Sequence, residues 1–110
     1  MSQTITNPIE NNNPFPKIIF EDAQNLDEFE MWDMRNRGYC NYATVLLQNN
    51  LKYKVYFYAP VRLAQELEEG GASFIAEVGL IVVPEVTLEY MQAAVNKLEK
   101  QGFFNHFVPC

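Results

Sequence analysis

Glu77 is the carboxylate that a solvated helix face explains least. It sits inside the run FIAEVGLIVV, where a charge must find a partner, become neutral or point into a cleft. With Arg62 as its partner and a tyrosine nearby, it would centre a small acid-base enzyme or hydrolase, because two groups of separated pKa can divide acid and base roles. Its alternative place is facing water, on the outer side of a sheet or in a turn before Gly79. Cys40 and His106 supply the one conventional thiol and base using an internal cysteine, and nucleophilic catalysis requires those groups to be adjacent. Otherwise Cys40 is a small buried hydrophobe beside an aromatic segment.

Other chemistry is excluded more firmly. Cys40, His106 and Cys110 lack the close spacing of metal ligands, and Pro109 argues against a helix that would bring His106 and Cys110 onto one face. The acidic group Asp22, Asp27, Glu28, Glu30 and Asp33 lacks calcium-loop spacing, and Gly70, Gly71 and Gly79 lack that of a phosphate loop. Neither a metal nor a cofactor is expected. Fourteen acidic against eight basic residues give a formal charge of −6, which offers little to neutralise a nucleic acid or to recruit an anionic membrane. The longest aliphatic run, Leu80 to Val83, cannot cross a bilayer. Two cysteines are far from the density of a secreted disulfide scaffold, so a reduced, cytoplasmic protein is expected.

A protein-contact surface fits the composition better. Trp32, Tyr53, Tyr56 and Tyr58, with Met31, Met34, Tyr39 and Tyr42, exceed what one helical seam and one sheet face consume, and such side chains serve well at interfaces. The expected function is therefore a non-enzymatic module that binds another protein or itself, a homodimer included. Aromatic groups would lie at the centre of the contact and acidic groups at its rim.

These residues must be positioned by a chain whose hydrophobic fraction of 48% suffices for a core. Residues 1–16, rich in Asn and Pro, read as an extended arm, and 17–110 as a single α+β domain. Lys17 to Phe20 is a short edge strand or extended segment. Asn25 and Glu28 have capping-box spacing for a helix from Leu26 to Arg37 that buries a broad face and exits at Gly38. The runs YATVLLQ and LKYKVYFY flank Asn49 and Asn50, which predicts a hairpin with those two residues in the turn. That register sets Leu46 opposite Tyr53, Thr44 opposite Val55 and Tyr42 opposite Phe57, leaving Val45 and Lys54 on the other face. Pro60 opens a second helix with a packed stripe of Val61, Leu63, Ala64 and Leu67, stopped by Gly70 and Gly71. Phe74 to Val83 is one bent strand or two short ones. Thr87 caps a last helix, Leu88 to Gln101, with Gly102 as its exit, and Phe104 and Phe107 dock on the body. The predicted architecture is a small two-layer domain with about three helices mainly on one face of the hairpin and its neighbouring strands.

Overall fold

Two neighbouring runs of β-forming residues separated by asparagines do fold back on each other, but three residues make the reversal rather than two. The computed structural model describes residues 15–21, 27–71 and 73–110. In it β2 (Tyr39–Leu46) and β3 (Lys52–Tyr58) form an antiparallel pair. The Asn50 amide donates to the Leu47 carbonyl at 3.0 Å, and the Leu47 amide to the Leu51 carbonyl at 3.0 Å. Asn50 takes the single positive φ, 69°, and the Asn49 side chain accepts from the Leu51 amide at 3.0 Å. A type I turn followed by one left-handed residue has this shape.

The extra loop residue slips the register by one and turns β2 over. Leu46 lies opposite Lys52, and Val45, rather than Leu46, lies opposite Tyr53. Val45 and Ala43 therefore enter the core with Tyr53 and Val55, while Thr44 and Leu46 share the other face with Lys54 and Lys52. A bulge follows. Between the Cys40–Phe57 and Ala43–Val55 pairs, β2 has Asn41 and Tyr42 where β3 has Tyr56 alone. That extra residue returns Cys40 to the buried side.

β1 (Lys17–Phe20) pairs antiparallel with β2, and β4 (Leu80–Val82) pairs parallel with β3, giving the order β1-β2-β3-β4. The expected strand material from Phe74 onward shrinks to these three residues, because the chain needs 73–79 to return from the crossover helix. With α1 (Glu28–Arg37), α2 (Pro60–Glu68) and α3 (Leu88–Lys100), the result is a small α+β domain, a mixed four-stranded sheet with three helices packed on one face. Its core joins Phe57, Val55 and Val45 from the sheet to Met34, Val86, Met91, Val95 and Phe104.

Helix ends follow local chemistry. Asp27, not Asn25, is the cap of α1: its carboxylate accepts from the Glu30 amide at 2.8 Å while Glu30 reaches back to the Asp27 amide. Asn25, Leu26 and the arm up to residue 14 lie outside the described residues. Pro60 begins α2, Thr87 caps α3 through the Tyr90 amide, and Gly38 and Gly102 take left-handed exits. Two expected apolar faces are not buried. In α1 Met34 alone is fully enclosed, because the helix meets the sheet at its last turn, where Gly38 leads straight into β2. In α2 no residue is buried and Val61 and Leu67 are exposed, so the stripe is a half-wet cover rather than a core face. Beyond α3 a short 3₁₀ turn, Phe103–His106, docks Phe104 against Tyr53 with ring centroids 5.3 Å apart, and Phe107 packs beside both.

Candidate functional site

The thiol and base do not meet. Cys40 is buried, His106 is exposed on the 3₁₀ turn, and no hydrogen bond joins them among the described residues. Burial pushes the Cys40 thiol above its ordinary 9.0, against the opposing pull of its backbone hydrogen bond at Tyr42 and the positive charges of Lys54 and Arg37. It is thus the wrong thiol for a nucleophile. Both cysteines are free, and no group of three His, Cys, Asp or Glu side chains able to hold a metal exists among the described residues.

A thiol-reactive dye applied to the folded protein near neutral pH should label Cys110 rapidly and Cys40 only on unfolding. Two fast equivalents would contradict the burial of Cys40. Burial likewise raises Tyr42, with the Cys40 thiolate adding, and Tyr58, with Glu66 and Glu77 adding, above an ordinary 10.0. The folded chain then keeps protons that the unfolded chain releases. The stability from these three groups is whole below about pH 9 and falls as the pH climbs through their raised values. Urea midpoints measured from about pH 8 to about pH 11 should decline, and a flat profile would refute the assignment.

Glu77 is exposed, and Arg62 is engaged elsewhere: its Nε meets Glu66 Oε2 at 3.0 Å. No ion pair joins Glu77 to Arg62 among the described residues. The two do act on a common tyrosine, since Glu77 raises and Arg62 lowers the Tyr58 phenol. A phenol is already protonated at neutral pH, and burial moves this one further in that direction, so it is fit to donate a hydrogen bond but not to act as a base.

Arg62 belongs to a more developed arrangement. Arg35 and Arg37 stand in the last turn of α1, where cations complement the helix end. Gly38, at φ 75°, then turns the chain into Tyr39, and the Ala59 amide bonds the Gly38 carbonyl at 2.8 Å, drawing the start of α2 against that turn. A Cβ at position 38 would lie 3.0 Å from the Arg62 Cβ, so the close approach uses the absence of a side chain. The Arg62 and Arg37 guanidinium carbons lie 4.4 and 5.2 Å from the Tyr39 ring centroid, and Tyr39 itself stacks on Tyr58 at 5.9 Å. Together with Arg35, these are all the arginines in the chain, and they line one cleft of about 510 Å³ with Asn36, Gly38, Ala59, Val61, Gln65, Pro84 and Glu85.

Each guanidinium meets a carboxylate through Nε: Arg35 with Glu85, Arg37 with Asp33 at 3.0 Å and Arg62 with Glu66. The Arg37–Asp33 contact has ion-pair distance but not hydrogen-bond alignment, so the buried Arg37 Nε lacks an aligned acceptor. Arg35 and Arg37 escape sequence reasoning because basic residues at a helix end already have a sufficient explanation there. Their meeting with Arg62 depends on the tertiary turn at Gly38.

The expected contact residues separate. Tyr53 lies in the core and is removed from any monomer surface, while Tyr56 and Tyr58 are half-buried. Trp32 is 59% exposed, and so is a residue not anticipated beside it, Phe29 at 68%, their ring centroids 6.0 Å apart. The three-residue spacing of Phe29 and Trp32 is legible in the sequence as one flank of α1, but the same spacing reads equally as a buried seam. Comparison with protein-family models, curated proteins and solved structures gave no significant match, so the functional reading rests on this geometry alone.

Proposed function

We propose that the protein is a non-enzymatic binding module that engages another protein through the Phe29–Trp32 face of α1. The carrying observation is the pair of adjoining aromatic rings, both more than half exposed, on a short helix whose described buried contact is Met34. Large aromatics cost little side-chain entropy to order and dominate the centres of interfaces. Asp27, Glu28, Glu30 and Asp33 surround them in the helix and favour a partner with a basic rim. The same charges disfavour two copies meeting by this patch, since a two-fold contact would set like against like. The acid-base alternative is weaker because Glu77 and Arg62 form no pair.

Trp32 is the chain's one tryptophan and reports directly on its own surroundings. The free protein should show solvent-exposed tryptophan emission. Affinity capture with the wild type and with a Phe29→Ser/Trp32→Ser variant should recover a partner with the first bait only, and adding that partner should shift Trp32 emission to the blue. A partner retained by the doubly substituted, folded variant would overturn this face as the binding site. Sedimentation across a concentration range checks self-association: a dimer that Trp32→Ser abolishes would replace the foreign partner by a second copy.

A further inference from the structure

We propose that the cleft between α1 and α2 binds a phosphoryl dianion, free or carried on a small molecule, through Arg35, Arg37 and Arg62. Three observations converge there. First, an acidic chain places every arginine it has on one cleft, where Glu85 is the lining carboxylate and Asp33 and Glu66 reach the other two guanidinium groups from outside the lining. The three ion pairs balance the charge of the site, so an anion binds by taking over guanidinium donors from those carboxylates, and a dianion repays that exchange better than a single negative charge. Second, Arg37 and Arg62 both rest on the Tyr39 ring, 5.2 and 4.4 Å from its centroid, and both line the cleft. The ring thus restrains both cations before the ligand arrives, which lowers the cost of ordering them on binding.

Third, donors remain. The carboxylates contact the guanidinium groups at Nε, which leaves the terminal amino groups of each fork as further donors, and phosphate oxygens suit that planar pattern. The start of α2 adds one donor beside the cleft, the Val61 amide, since Pro60 has no N–H and the Ala59, Arg62 and Leu63 amides already donate to carbonyls. Asp33, Glu66 and Glu85 act as placeholders that orient the arginines. Such partly exposed pairs are weak enough to be loosened by a better acceptor. A volume of about 510 Å³ exceeds what phosphate alone fills and is of small-molecule size.

The test is a titration of the full ¹⁵N-labelled chain with inorganic phosphate, pyrophosphate, glycerol phosphate and, as the carboxylate probe, citrate, at constant ionic strength. Saturable shifts should gather at the amides of Gly38, Val61 and Arg62 and at the arginine Nε–H signals. Arg62→Gln and Arg35→Gln should each weaken the tightest phosphoryl probe by about tenfold or more. Arg35 is well exposed, so its variant keeps the question answerable if Arg62→Gln disturbs folding. Lys97→Gln/Lys100→Gln, on α3, should leave affinity unchanged. Tighter glycerol phosphate than phosphate assigns a carried phosphoryl group, and the reverse order assigns the free ion. Citrate binding as tightly as every phosphoryl probe, shifts indifferent to both arginine variants, or no saturable shift would each overturn the proposal.

Discussion

Phe57→Ala is expected to lower the unfolding free energy by about 3–5 kcal/mol, a large share of the reserve of a domain whose total is about 5–15 kcal/mol. Phe57 is 0% exposed and is among the largest fully enclosed side chains. It stands in β3, with Cys40 of β2 opposite on one side and Ile81 of β4 on the other, so its ring lies where the antiparallel and parallel halves of the sheet join. Removing it loses the transfer free energy of an aromatic ring and leaves a cavity that close-packed neighbours fill only in part. Urea denaturation should show a large fall in midpoint with little change in slope, as expected for altered stability without an altered unfolded state. Phe74→Ala provides the contrast, because Phe74 is exposed and its truncation should stay within about 0.5 kcal/mol. Similar losses for the two phenylalanines would mean that the core does not centre on β3.

What the sequence reveals divides along physical lines. Features set by a few adjacent residues were legible: the Pro60 start, the Thr87 cap, the Gly38 and Gly102 exits and the docking of Phe104. Each depends on one residue's backbone preference or on an apolar cluster too large to leave in water. The hairpin was legible as a reversal but not in register, because a paired asparagine suits both a two-residue turn and a turn with one left-handed residue. The outcome turned on Asn50 alone taking positive φ, and that one-residue difference moved Val45 from the surface to the core. The bulge at Asn41 and Tyr42 left no trace in the alternation of side chains that would separate it from a slip. Burial of helix faces was legible least. The spacing of Leu26, Phe29 and Trp32 states that they share a flank, but how deeply α1 is set against the sheet depends on the Gly38 turn. The arginine cleft was invisible for the related reason that α1 and α2 meet across β2 and β3, far apart in sequence. Tyr56 and Tyr58, expected at a contact surface, are half-buried, Tyr58 stacked on Tyr39 and Tyr56 beside the Lys54 ammonium, contacts that depend on the strand register.

Gly79→Ala should cost about 2–5 kcal/mol, although it adds a single methyl group. Gly79 combines two demands that only glycine meets together. Its φ of 93° lies where a Cβ is strained whatever the surroundings. A Cβ built there would also fall 2.5 Å from the Lys54 carbonyl oxygen and 3.4 Å from the Val55 Cα. Both neighbours are backbone of β3, so neither can swing aside as a side chain would. The Gly79 carbonyl accepts the Tyr56 amide at 2.9 Å, and Leu80 begins β4 at the next residue. Relief of the clash would therefore pull apart the entry to the parallel pair. Gly71→Ala separates the two causes, since Gly71 has φ 77° but nothing within 4 Å of an added Cβ. It should lose only the conformational term, about 1–2 kcal/mol. The gap between the two variants in urea denaturation measures the steric part. Amide exchange should accelerate at Tyr56 and at Val83, whose amide donates to the Tyr58 carbonyl at 2.9 Å, in the Gly79 variant alone. Equal losses for the two glycines, with Tyr56 exchange unchanged, would show that β4 does not enter the sheet through this close backbone approach.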